Sequence, residues 1–168
     1  MNNLFIRNTF LFIGLVFLQV LVFNNIKYLG YVNPMVYLIF LILYPHNENK
    51  IPFLFGAFLL GLTVDIFSNT GGIHAASAVF IAYVRIQILK IIFGQKLDFQ
   101  EIKLMQFPFA KVFSYTTTIV LLHHTLFYFL EVFNFNHLLT TFVKIGMASA
   151  STIAVCLLFI YIFSSQKK

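Results

Sequence analysis

Charge is scarce in this sequence. Only 10% of its 168 residues are Asp, Glu, Lys or Arg, while 60% are apolar, and mean hydropathy is +0.91. An ordinary soluble domain carries about 25% charged residues, so the shortage excludes a soluble enzyme or a charged binding module and leaves an integral membrane protein. Cysteine is rarer still. Cys156 has no second cysteine to pair with and lies in an apolar run, which excludes an intrachain disulfide and leaves it as packing. No HExxH, GxSxG or pair of intramembrane aspartates occurs, and "NTGGIH" lacks the surroundings of a phosphate loop. The reading is therefore non-enzymatic, with no cofactor and no metal. Internal repeats and low-complexity linkers are also missing, so residues 1–168 read as a single transmembrane domain.

What the chain has is apolar runs. A helix needs about 20 apolar residues to cross a bilayer, which allows roughly six crossings in one bundle. The first runs from Thr9 to Phe23 and is followed by "VFNNIKY" with no small-residue cleavage site, so it reads as an uncleaved span. The second, "NPMVYLIFLILYP", is bracketed by Pro34 and Pro45, with Asn33 placed to cap a helix that begins at Pro34. From Pro34 to Tyr44 it covers only about 17 Å. Four more follow, over about 53–67, 73–89, 109–130 and 138–163, with tight turns at "SNTGG" and "FNFNH" and a mixed segment suited to the membrane surface between the fourth and fifth.

Positive residues set the orientation. Arg7, Lys50, Lys90, Lys96, Lys103, Lys167 and Lys168 fall on one side and Lys27 on the other, which puts both termini in the cytoplasm. The formal charge of +6 then reflects topology and attraction to membrane lipid; the basic residues are scattered, and no nucleic-acid partner is expected.

Within the spans, charge costs about 2.5 to 3.5 kcal/mol at a helix centre and so asks for a reason. Arg85, followed by Gln87 and Lys90, has a stem long enough to snorkel to the headgroups, as does Lys144 towards the other side. Asp65 is shorter. Ala57, Gly61 and Asp65 share one helical stripe, which turns the carboxylate towards protein. It either satisfies the "SNTGG" turn and His74, pairs with Lys144, or binds a partner. Small residues recur as Gly72 with Ala76, as Ala75, Ala78 and Ala82, and as Gly146, Ala150 and Ala154, so the third, fourth and sixth spans are expected to form the tightly packed centre. His123 and His124 are adjacent and about 100° apart, which does not suit a shared metal. Thr117, His124, Tyr128 and Glu131 form a polar stripe, either of interhelical hydrogen bonds or of a transport path.

The segments "YVNPMVYLIFLILYP" and "GLTVDIFSNTGGIHAASAVFIAYVRI" resemble the core of the rod shape-determining MreD family, with its short Pro-bounded second span, Gly-Leu-x-x-Asp stretch and small-residue helix. They cover about a quarter of the chain. The resemblance implies a bacterial inner-membrane subunit of the cell-elongation complex, involved in cell shape and peptidoglycan synthesis. It would bind MreC directly and, through the complex, MreB, RodA and a penicillin-binding transpeptidase. It also implies an architecture similar to the membrane substrate-binding subunits of energy-coupling-factor transporters, and hence an alternative, a vitamin-type transport subunit. Against that alternative, "RNTFLFIGLVFLQVLVF" is bulky, with Gly14 and Gln19 its only departures. The residues expected to hold or form a docking surface are Asp65, Gly61, Asn33, Pro34, Asn69, Thr70, Gly71, Gly72, His74 and Arg85.

Overall fold

A computed structural model describes residues 2–26, 33–45, 50–94, 104–132 and 138–165. Among them there are helices and no strands. Helix α1 (Asn2–Phe17) runs on into a π turn (Leu18–Val22) and a 3₁₀ turn (Phe23–Asn25); then come α2 (Leu38–Leu43), α3 (Ile51–Ser68), α4 (Ile73–Phe93), α5 (Phe109–Val132) and α6 (Leu138–Ser165). Among the described residues, four stretches are long and apolar enough to cross a membrane: 6–25, 51–68, 73–93 and 138–162. Helix α5 has the length for it, since 24 residues at 1.5 Å each make about 36 Å. Lys111, Thr116, Thr117, Thr118, His123 and His124 dilute its apolar content.

The longer helices stand side by side in chain order, α3 against α4, α4 against α5 and α5 against α6, with α2 touching α1, α4, α5 and α6. Helix α2 is the core. Residues 35–42 are all buried, and Val36, Tyr37, Leu38, Ile39 and Leu41 are wholly so. A helix apolar on every side belongs inside a bundle, and this one has six residues, about 9 Å, too few to reach both membrane surfaces alone.

The helices α3 to α6 lie within about four residues of the segments expected at 53–67, 73–89, 109–130 and 138–163, whereas α1 starts at Asn2, well before Thr9, and the second segment departs in kind. No helix begins at Pro34; residues 36 and 37 form a turn and α2 starts at Leu38. The expected centre also needs correction at α6. Gly146, Ala150 and Ala154 lie on the exposed face, whereas Ile145, Ala148, Ser149, Thr152, Cys156 and Ile160 face inward. Where four-residue spacing marks two possible stripes, the side that hydrogen-bonds to the core faces it, and Thr152 is on that side. The "HNENK" and "FNFNH" segments lie mostly or wholly outside the described residues, as do 95–103 of the expected surface segment.

Candidate functional site

Helix α3 ends on Asn69, which adopts the left-handed conformation at φ 54°, and Gly71 and Gly72 follow at φ 65° and 97°. Glycine takes such angles without a Cβ penalty, so the chain reverses within four residues and α4 starts at Ile73. Its N-cap, Gly72, has no side chain to satisfy the first amides of α4. Asp65 supplies the missing acceptors from the last turn of α3. Its Oδ1 accepts from the His74 amide at 3.0 Å and the Thr70 hydroxyl at 2.5 Å, and its Oδ2 accepts from the Ala75 amide at 2.8 Å. A carboxylate there also meets the positive end of the helix dipole.

Gly61, one turn below Asp65, makes this reach possible. A Cβ on it would sit 2.4 Å from the Ala75 Cα and 2.6 Å from the Ala75 nitrogen. The two helices meet backbone to backbone, and Ala75, Ala78 and Ala82 bury the face of α4 that takes part. Asp65 thus holds the turn and the first turn of α4; Lys144 is not among its partners.

Helix α2 is closed at both ends by side chains from elsewhere in the chain. Gln19, in the π turn and 1% exposed, accepts from the Val36 amide at 2.7 Å and the Tyr37 amide at 3.4 Å through Oε1, and its Nε2 donates to the Pro34 carbonyl at 3.2 Å. The Met35 amide donates to Thr152 Oγ1 on α6 at 3.1 Å. These bonds replace the cap expected of Asn33, whose Oδ1 is buried with no partner. At the other end Arg85 is only 2% exposed. Its Nη2 donates to the carbonyls of Tyr44 (2.6 Å) and Ile42 (3.2 Å), its Nε donates to the Tyr115 hydroxyl (2.8 Å), and its guanidinium lies over the Phe53 ring at 5.2 Å. A cation at a helix C-terminus meets the unpaired carbonyls and the negative end of the dipole. Arg85 therefore turns into the protein rather than snorkelling out, because the bare end of α2 sets unpaired carbonyls within its reach.

Between the two ends the Tyr37 hydroxyl bridges His74 Nδ1 on α4 at 2.9 Å and His123 Nε2 on α5 at 2.8 Å. A phenol has one proton, so it donates to one ring and accepts from the other. His123 Nδ1 stays buried without a partner. His124 Nδ1 donates to the Val120 carbonyl at 2.9 Å, and with the ring neutral its Nε2 accepts from Thr152 Oγ1 at 3.2 Å. Thr152 thus links α2, α5 and α6. Of the polar stripe on α5, His124 makes such interhelical bonds, while Tyr128 and Glu131 line a cavity of about 440 Å³ at the Asp65 end of the bundle, together with Lys144, His74 and Thr70.

Among the described residues no group of three or more His, Cys, Asp and Glu could hold a metal ion. The Asp65, Gly61, Asn69, Thr70, Gly71, Gly72 and His74 constellation comes together as one joint; Pro34 instead meets Gln19, its carbonyl accepting from Nε2, and Arg85 stands at the opposite end of α2. Sequence reasoning missed Gln19, Tyr37, Tyr115 and Thr152. Gln19 carried a signal, as the single amide in an otherwise apolar span; the others stand in segments whose polar residues had no visible addressee. No family model, curated protein or solved structure matches this chain.

Proposed function

We propose that this protein is a non-enzymatic inner-membrane subunit of the bacterial cell-elongation complex, of the MreD kind, which binds MreC and through it is linked to MreB and the wall synthases. The observation that carries the reading is a physical one. The two stretches that bear the resemblance clasp each other, since Asp65 and His74 lead to Tyr37 at one end of the short segment, and Arg85 closes its other end. Features that would be weak one by one are thereby parts of a single joint. In this reading the chain has six membrane segments, with α2 a short second one and α5 the fifth, both termini are cytoplasmic, and the Asp65 joint faces the periplasm where MreC docks.

Depletion should widen the cells and disturb wall elongation, and gentle detergent purification should bring down a bitopic partner with a periplasmic coiled coil. A second reading, the small-molecule transport subunit, is favoured by the cavity at the Asp65 end. It predicts copurifying ATPases and a bound vitamin. A depletion strain of normal shape that needs a vitamin for growth would establish the second reading in place of the first.

A further inference from the structure

We propose that the cavity at the Asp65 end binds a zwitterion that carries a primary ammonium group, with Glu131 holding the ammonium and Lys144 the anionic group. The site goes beyond both functional readings, neither of which names such a ligand.

At about 440 Å³ the cavity falls in the range of about 300–1,000 Å³ of small-molecule sites. Most polar groups on its wall are already committed: Gln19 bonds to Asn24 and Pro34, Asn24 to Ser68, and Thr70 to Asp65. Asn33 Oδ1 is not, and neither are the charged groups Glu131 and Lys144. They project from adjacent helices, α5 and α6, into the same cavity, and among the described residues neither has an ion-pair partner. Opposite charges that line one cavity without pairing suit a molecule that bears both signs. An anion alone would satisfy Lys144 and be repelled by Glu131; a cation alone meets the reverse.

Phe67, Phe127 and Tyr128 supply apolar wall for the ligand's carbon skeleton. The carboxylate selects a primary ammonium over a quaternary one, because only the former donates charge-assisted N–H bonds. Two sources share this chemistry. One is a free amino acid or short peptide; the other is the ethanolamine phosphate headgroup of a lipid, since Glu131 stands in the last turn of α5 and Lys144 within two turns of the start of α6, in a chain whose helices are apolar enough to cross a membrane.

The test uses the full chain, purified in detergent and freed of lipid, and native mass spectrometry to count retained molecules. The probes are phosphatidylethanolamine, phosphatidylcholine, phosphatidylglycerol and L-alanyl-L-alanine. One retained phosphatidylethanolamine or one retained dipeptide per chain is the expected result, and which of them is held identifies the source. Glu131→Gln and Lys144→Gln should each weaken that retention about tenfold, while Lys144→Arg keeps it. The two glutamine variants remove no described bond, and an unchanged melting temperature would show that they fold. Retention of phosphatidylglycerol or phosphatidylcholine equal to that of phosphatidylethanolamine, indifference to both glutamine substitutions, or no retained probe at all would overturn the proposal.

Discussion

The carboxylate of Asp65 divides three donors between its two oxygens, and each donor left unpaired in a dry site costs about 1–3 kcal/mol. Asp65→Leu strands two amides that cannot turn elsewhere and should lower stability by a few kcal/mol, read as a fall in the melting temperature of the purified protein. Asp65→Asn keeps one oxygen for His74 and Thr70 but sets an NH₂ against the Ala75 amide, so its loss should be smaller. Equal melting of all three proteins would remove Asp65 from this role. Gly61 tests the same joint from the other side. Gly61→Ala puts a methyl into the Ala75 backbone, an overpacking worth about 1–3 kcal/mol or more, and it should separate α3 from α4 even though Asp65 is untouched. Gly146, where an added Cβ would meet nothing within 4 Å, is the control: Gly146→Ala should be neutral or stabilise by about 0.5–1 kcal/mol through helix propensity.

Helix α2 shows why apolar burial is a poor guide to order inside a membrane. Lipid tails are as apolar as leucine, so exchanging lipid for Leu38 or Ile39 contacts gives little, and association rests on close packing and on hydrogen bonds. Those bonds average only about 0.6 kcal/mol when made, but an unmade backbone bond in hydrocarbon costs several kcal/mol. The penalty decides. Arg85→Lys keeps the charge and loses the fork that joins Tyr115, Ile42 and Tyr44, so it should destabilise almost as much as Arg85→Met. Gln19→Leu should do likewise at the other end, with faster proteolysis near residues 33–37 as a second readout. These clamps mark the boundary of what the sequence tells. The long spans follow from apolar runs, and the 69–72 reversal from Asn and two glycines, because both signals are local. The Asp65 cap is legible because its partners stand within ten residues. Gln19 to Val36 and Arg85 to Tyr44 are not, since a polar residue in an apolar run announces that it has a partner without saying which. The helical stripe of Gly146, Ala150 and Ala154 points the wrong way for a related reason, for small residues suit both a helix contact and a lipid face.

At the scale of the molecule, the 69–72 reversal and the cavity lie at one end of the bundle, and the C-terminus of α2 with Arg85 lies towards the other. Cysteine labelling should therefore reach position 70 and position 50 from opposite sides of the membrane, with the buried Cys156 silent as background; labelling of both from one side would contradict the arrangement of α3. The bond from Met35 to Thr152 spans 117 residues, and this has a consequence for how the protein is made. Chain emerging from the ribosome presents α2 long before the helix that helps to cap it exists. Until α6 is inserted, the Met35 amide has no Thr152 to receive it, and the short segment cannot settle at the centre. Helix α6, made well after α2, is thus the one that closes the segment before it, so a translation product that stops short of α6 would be left open at its core and exposed to the membrane proteases that clear unfinished chains.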